Sequence, residues 1–410
     1  MTVRTHYAAG TVISPIKSDA LLVGSATMPH PSVTWSKSTA RLTCWPLRMV
    51  VSALLLASLL VASTCASPPA DAQPYIRGVN QSRIMWMTHE ERADILSDIA
   101  EHKVPAVRIP MNQPFPAVLD AIELAKARHL QVLLVVSLNT PDFYPEGETK
   151  RPAPVQLGVS YHLSRIDPAR FRASFSAFWR ELEARELTLM GLELGNEINW
   201  TFNGDIAVHE DAPGHVYDSI HAMPEGDAFE KGLDKYIVLL RIVRELRDNS
   251  RHNRDMKLLS AGMANVRPSF AKSIKADSVD AGLTYRLLEN RGLSKVIDAA
   301  AIHYYPPPPM PPRERAVLLD RILDACSQSE ASGGCWMTEW GVNNTDSGCP
   351  VNDNSRVALV DETRRAFAEA ARKGRLAADF YFEWSGSSPR SIWRCGSLME
   401  GGKAALELNE

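Results

Sequence analysis

The sequence has little of several features that would each point to a class of protein. Its six cysteines include no C-x-x-C pair, the spacing typical of zinc sites. No G-x-G-x-x-G follows the first predicted strand, which argues against a dinucleotide-binding sheet. The formal net charge of −3 argues against a nucleic-acid partner. What is left is an ordinary globular composition, 45% hydrophobic and 23% charged, over 410 residues.

The apolar run at residues 49–62 predicts a signal peptide. It carries no charge, it is shorter than the roughly 20 residues that a membrane-spanning helix needs, and basic residues precede it. Ala70-Asp71-Ala72 resembles a cleavage site, so we expect a leader over 1–72 and a mature domain over 73–410. The protein is then exported, periplasmic or extracellular. A membrane anchor through 49–62 is the alternative, and a lipoprotein box at 62–65 ranks lower because Thr64 is atypical there.

Four cysteines remain after the leader, an even number in a chain that we expect to be exported, so they predict a disulfide framework. Four cysteines allow three pairings. We favour Cys326 with Cys335, which lie at the end of a predicted helix and the start of the next strand. We also favour Cys349 with Cys395, which follow neighbouring strands. A zinc site is the weaker alternative because the spacing does not suit it.

Short apolar runs alternate with longer amphipathic segments from residue 73 onward, as in repeated βα units. Asp167 and Pro168 form a good helix start within this pattern. The alternation gives eight predicted strands, at residues 75–80, 105–110, 132–139, 189–196, 257–265, 298–306, 335–341 and 378–386. Eight strands with helices between them predict a single (β/α)8 barrel, and a doubly wound open sheet is the alternative.

Polar or aromatic residues finish each predicted strand, where barrel enzymes gather their active sites. Two of these residues are carboxylates, Glu197 after strand four and Glu339 at strand seven. Two carboxylates facing one cleft can divide the roles of acid and nucleophile, as glycoside hydrolysis requires. Arg108 at strand two can keep one of them ionised by a charge-assisted hydrogen bond.

The motifs at these strand ends resemble a known group of enzymes. They are RGVN at strand one, VRIP at strand two, GNE at strand four, HYY at strand six, TEWG at strand seven and a tryptophan after strand eight. In this order they resemble the clan A glycoside hydrolases, most closely the cellulase-type family 5, over residues 77–386. Family 5 members often carry a histidine in the third-strand loop, where this chain has Ser137, Leu138, Asn139 and Thr140.

The resemblance implies a role for each matching residue. It implies that Glu197 is the acid/base, that Glu339 is the nucleophile, and that Asn196 donates to the sugar 2-hydroxyl. Residues implied to surround them are Arg108 and Tyr305 as hydrogen-bond donors to the nucleophile, His303 in the sugar site, and Trp384 as the platform under the sugar ring. We expect no cofactor and no metal.

Further candidates lie in loops that are expected to face the cleft. Trp200 and Tyr144 are candidates for outer sugar subsites. The loop at 201–227 carries His209, His215 and His221, but their spacing matches no metal motif, so we interpret it as a substrate-binding loop. The proline-rich run at 306–312 is expected to be stiff and to wall the cleft near His303.

These observations predict a retaining glycoside hydrolase that cleaves the O-glycosidic bonds of a β-linked poly- or oligosaccharide. A barrel that binds carbohydrate without cleaving it is one alternative, although such a protein does not need both carboxylates. A transglycosylase is another, because it shares the same catalytic residues.

Overall fold

The computed structural model describes three stretches of the chain, residues 75–152, 159–346 and 348–407. The predicted leader at 1–72, with its apolar run at 49–62, lies outside these residues. None of the described helices combines the length and the apolar character needed to span a bilayer.

Eight parallel strands form a closed barrel. Each strand pairs with its neighbours in sequence, and the last strand pairs with the first. The strands are β1 (Ile76–Asn80), β2 (Ala106–Met111), β3 (Gln131–Val136), β4 (Gly191–Leu194), β5 (Lys257–Met263), β6 (Ala299–Tyr304), β7 (Cys335–Trp340) and β8 (Leu376–Tyr381). This order confirms the predicted (β/α)8 barrel and excludes the doubly wound sheet, whose edges stay open.

Helices follow the strands along the described parts of the chain. They are α1 (His89–Glu101), α2 (Phe115–Ala127), α3 (Pro168–Ala184), α4 (Gly226–Asp248), α5 (Pro268–Ile274), α6 (Ala281–Glu289), α7 (Pro312–Ser327), α8 (Asn354–Arg372) and α9 (Glu400–Leu406). Three short two-stranded pairs lie in the loops, Arg151–Pro152 with Val159–Ser160, Val216–Tyr217 with Ser278–Val279, and Trp393–Arg394 with Ser397–Leu398.

Local sequence fixes where α1 and α3 begin. Thr88 and Glu91 form a capping box, in which each side chain accepts the other residue's backbone N–H. The Asp167 carboxylate accepts the N–H groups of Ala169 and Arg170, and Pro168 occupies the first helical position. The start predicted from Asp167 and Pro168 is therefore confirmed.

The barrel interior combines small and large apolar side chains. The rings of Trp336 and Phe380 stack with centroids 6.4 Å apart, and alanines on the other strands leave room for them. The cluster consists of Ala106, Leu133, Leu259, Ala299, Ala301, Trp336, Ala378 and Phe380. A larger apolar core includes residues from both the helices and the strands.

Strand β4 ends earlier than the sequence pattern predicts. Gly195 has a φ of 91° and Glu197 a φ of 47°, a left-handed conformation in which a strand cannot continue. The Glu197 N–H donates to the Gly262 carbonyl at 2.9 Å and fixes this strained residue against β5. Asn196 and Glu197 therefore leave the barrel wall and turn across its mouth.

Both predicted disulfides are confirmed. Cys326 of α7 bonds to Cys335 at the start of β7, and both are buried. Cys349 and Cys395 join the loops that follow β7 and β8, and both are exposed. Two disulfides are typical of a protein from an oxidising compartment.

Candidate active site

A cleft of about 750 Å³ opens at the C-terminal end of the barrel. Six of the eight barrel strands, or the residues directly after them, contribute functional side chains to it. These include Asn80, Arg108, Asn196, Glu197, His303, Tyr305, Glu339 and Phe382. The cleft volume is within the range typical of ligand sites.

Arg108 is the centre of the polar network. Its Nε and Nη2 donate to the two carboxylate oxygens of Glu193 at 2.8 and 3.0 Å. Its Nη1 donates to Glu339 Oε1 at 2.7 Å and to Asn80 Oδ1 at 2.8 Å. Its Nη2 also donates to Asn196 Oδ1 at 2.8 Å. The fork geometry of arginine allows one buried cation to position four neighbours.

Glu339 is held as a carboxylate. Its Oε1 accepts from Arg108, and its Oε2 accepts from the Tyr305 hydroxyl at 2.6 Å. Burial by itself would raise the pKa of Glu339, but His303, Arg108 and the Tyr305 hydrogen bond outweigh burial and lower it. A buried carboxylate that stays ionised is suited to act as a nucleophile.

Glu197 is in the opposite electrostatic environment. Burial raises its pKa, and the negative charge of Glu339 raises it further, although His303 opposes both. One oxygen of each carboxylate and a ring nitrogen of His303 lie within 4.8 Å of one another. Two neighbouring carboxyl groups whose pKa values are shifted in opposite directions are suited to acid and nucleophile roles.

His303 links the two carboxylates. Its Nδ1 lies 2.8 Å from Glu197 Oε1 and 3.7 Å from Glu339 Oε2. Burial by itself would lower the pKa of His303, but the two carboxylates raise it. The imidazole therefore positions Glu197 at the floor of the cleft.

Two residues that sequence reasoning missed support this arrangement. Glu193 is fully buried within β4 and binds Arg108 through both oxygens, while its Oε1 also accepts the Gly262 N–H at 2.8 Å. A β-carbon at Gly262 would overlap His303 Nε2 and stand 2.7 Å from Glu193 Oε1. In the sequence, Glu193 could have been found as the one charged residue inside the apolar stretch GLEL. The need for glycine at 262 has no such signal, because it depends on packing between neighbouring strands.

The structure corrects two predicted sugar-binding residues. Trp384 is fully buried outside the cleft, where it stacks on Trp393 with ring centroids 5.4 Å apart. Phe382, two residues earlier, faces the cleft instead. Tyr144 is also buried, stacks on Tyr161, and donates its hydroxyl to the Leu138 carbonyl. Both corrected residues are therefore core residues, since aromatic side chains in a barrel have a large apolar area to bury.

The other predicted cleft residues lie where the sequence suggests. Trp200 lines the cleft, with its ring 6.3 Å from that of Phe270. Phe202 also lines the cleft, so the loop at 201–227 reaches it in part. Pro306, Pro307 and Pro308 form part of the wall, as predicted for the proline-rich run.

The three histidines of that loop form no metal site among the residues that the structure describes. Asp277 holds the loop by accepting the N–H groups of His209, Gly214 and His215. Among the described residues, the one cluster of three potential metal ligands is Glu197, His303 and Glu339, the group already assigned to the cleft.

Comparison with known proteins identifies solved structures that have a similar fold. No protein-family model matches the chain, and no curated protein matches it in sequence. Solved structures do match, among them the exo-β-1,4-mannosidase Op5Man5 from Opitutaceae bacterium strain TAV5, at 13% identity and a TM-score of 0.51. That match covers 82% of this chain and 59% of the mannosidase chain. At this identity the likeness shows the fold alone, a (β/α)8 barrel.

Two further structures agree with this result. A structure of fungal β-1,4-galactanases matches at 13% identity with a TM-score of 0.53, over 81% of this chain and 98% of the galactanase. A GH5_18 protein from Streptomyces cattleya, solved in complex with GlcNAc, matches at 13% identity with a TM-score of 0.53, over 82% and 80% of the two chains. The resemblance predicted from the strand-end motifs is thus confirmed at the level of the fold.

Proposed function

We propose that this protein is an exported, retaining glycoside hydrolase that cleaves the O-glycosidic bonds of a β-linked poly- or oligosaccharide. The observation that carries the proposal is the pair of buried carboxylates, Glu197 and Glu339, whose oxygens approach within 4.8 Å and whose pKa values are shifted in opposite directions. Retaining glycosidases place their two carboxyl groups about 5 to 5.5 Å apart, whereas inverting enzymes leave a wider gap for water.

In the first step, a Glu339 oxygen attacks the anomeric carbon while Glu197 donates its proton to the glycosidic oxygen. The bond from carbon to the leaving oxygen breaks, and a glycosyl ester forms on Glu339. Arg108 and Tyr305 hold the attacking carboxylate ionised and oriented. In the second step, Glu197 removes a proton from water, the water oxygen attacks the anomeric carbon, and the ester bond breaks to restore Glu339.

Asn196 is placed to bind the sugar. Its Oδ1 accepts from Arg108, which leaves its amide N–H groups to donate to a hydroxyl of the substrate. Phe382 and Trp200 line the same cleft and offer apolar faces for sugar rings. Their positions support a site for a carbohydrate with units on more than one side of the cleaved bond.

The experiment is covalent trapping with a panel of 2-deoxy-2-fluoro glycosyl fluorides, followed by intact mass measurement and peptide mapping. We expect a sugar ester on Glu339 with at least one panel member and none in Glu339→Gln. In Glu197→Gln, labelling of Glu339 should persist, because a fluoride leaving group needs little protonation. A protein that binds oligosaccharides but gives no adduct with any panel member would favour the non-catalytic barrel.

A further inference from the structure

The cleft contains two arginines that the proposed reaction does not use. Arg267 follows β5 and Arg390 follows β8, and both line the cleft wall. Among the residues that the structure describes, neither of them forms a salt bridge. By contrast, Arg108 in the same cleft donates all five of its N–H groups to acidic and amide side chains.

Arg390 is held next to the reacting groups. Its guanidinium lies 4.2 Å from the ring centroid of Tyr305, whose hydroxyl donates to the nucleophile Glu339. The Arg390 Nε is buried and has no hydrogen-bond partner. Arg390 itself is only half-buried, and among the described residues its terminal guanidinium nitrogens have no hydrogen-bond partner, so these nitrogens can donate to a ligand in the cleft.

The charge of the cleft differs in sign from the charge of the chain. The full chain carries a formal net charge of −3. The cleft wall holds Glu197 and Glu339 as its only acids among the described residues, and the first of these holds a proton in the reactive state. Arg267 and Arg390 therefore leave a positive field in a concave site, which attracts an anionic ligand.

We propose that the substrate is an acidic glycan, with a sugar carboxylate bound by Arg390 beside the cleavage site and a second acidic unit facing Arg267. This inference rests on the proposed function and names its substrate class. Guanidinium groups bind carboxylates through paired N–H donors, and they do so most strongly where water is partly excluded. A neutral glycan would offer neither arginine an acceptor that carries a negative charge.

Matched oligosaccharides test the proposal. The probes are β-1,4-linked gluco-, manno- and galacto-oligosaccharides, their C6-oxidised uronate forms and their C6-sulfated forms. Binding is measured by calorimetry with Glu339→Gln, which cannot turn them over. In at least one of the three pairs, we expect the uronate form to bind about tenfold tighter than the neutral form, and the difference to shrink as salt increases.

Variants separate charge recognition from packing. Arg390→Gln and Arg267→Gln should each remove most of the uronate preference, whereas Arg390→Lys should keep part of it. Arg172→Gln is the matched control, because Arg172 lies on α3 and pairs with Glu245 outside the cleft.

Two results overturn the proposal: equal or better binding of the neutral form in every pair, or no binding of any uronate. A preference for the sulfated form overturns the carboxylate assignment. Uronate binding without trapping on Glu339 would leave the charge recognition standing and reject the hydrolase.

Discussion

Arg108 contributes, with His303 and Tyr305, to the difference between the two carboxylates of the site. It neutralises Glu193 inside the barrel and keeps the pKa of Glu339 low. Glu197 has no hydrogen bond to Arg108, and burial raises its pKa. The rate of the proposed reaction therefore rises with pH as Glu339 loses its proton and falls as Glu197 loses its own. Because the first pKa is lowered and the second is raised, the active pH range is widened on both sides.

We predict that Arg108→Met moves the acidic limb of the pH profile of kcat/KM to higher pH. Without the guanidinium, one of the groups that oppose burial is lost, so the pKa of Glu339 rises. The change also lowers kcat/KM by about 100-fold, a typical loss for a group that stabilises charge in the site. It costs about 3 kcal/mol or more in stability, because Glu193 stays buried without its partner.

The control for this prediction is Arg364→Met. Arg364 is likewise buried and donates to both oxygens of Asp379 at 2.7 Å, but it does not line the cleft. Its loss should destabilise the protein to a similar extent and leave the acidic limb where it was. Kinetics across pH and thermal melting measure both effects, and an unmoved limb in Arg108→Met would contradict the role given to this residue.

At the scale of the element, β5 must contain a residue without a side chain at position 262. Its neighbours β4 and β6 place Glu193 and His303 against this position, and the bridge from Asn196 to Gly262 holds the turn after β4. One glycine on β5 thus lets a carboxylate, an imidazole and the turn that carries Glu197 approach the same point.

We predict that Gly262→Ala lowers kcat about 100-fold while the barrel still folds. The added methyl group displaces His303 and with it the Glu197 carboxyl that His303 contacts, and a misplacement of about 1 Å costs about that much. Gly191→Ala in β4 is the matched control, because its nearest contacts, the Leu133 and Leu259 side chains and the Lys257 carbonyl, lie at 3.1 to 3.3 Å, well beyond the 2.2 Å to His303 at position 262. Circular dichroism verifies folding, and an alanine variant at 262 with normal kcat would show that His303 tolerates the shift.

The position at which strand β8 ends explains why Trp384 was wrongly predicted as the sugar platform. The alternating pattern located all eight strands, but β8 ends at Tyr381, before the aromatic residue chosen as the sugar platform. Beyond that point the chain no longer follows the period of a strand, so a sequence pattern cannot tell which of Phe382 and Trp384 faces the cleft. In the structure the Trp384 ring packs against His102 and Trp393, so Phe382 is the residue that faces the cleft.

At the scale of the whole molecule, the two disulfides differ in exposure and therefore in accessibility to reductant. Cys349 and Cys395 are exposed, whereas Cys326 and Cys335 are 2% and 4% exposed. The exposed bond closes the longer segment, with a sequence separation of 46 against 9. Longer closed segments contribute more to stability through the entropy of the unfolded chain.

We predict that dithiothreitol under native conditions reduces only the bond between Cys349 and Cys395. Loss of this bond should cost up to about 4 kcal/mol and lower the melting temperature. Differential alkylation with peptide mapping identifies the reduced cysteines, and Cys349→Ala with Cys395→Ala reproduces the change without reductant. Equal labelling of all four cysteines in the folded protein would contradict the prediction.

The sequence by itself predicted the barrel, placed the two carboxylates and Arg108 at its mouth, and favoured the disulfide pairing that the structure has. The barrel and its mouth follow from local period and from the rule that parallel strands end at one face, whereas the role of Tyr305 was implied by the resemblance of the strand-end motifs. Only the tertiary structure decided what depends on contacts between distant strands. Such contacts fix the buried partner Glu193, the glycine at 262, the aromatic residue that faces the cleft and the unpaired Arg267 and Arg390, because burial and charge pairing are properties of neighbours in space.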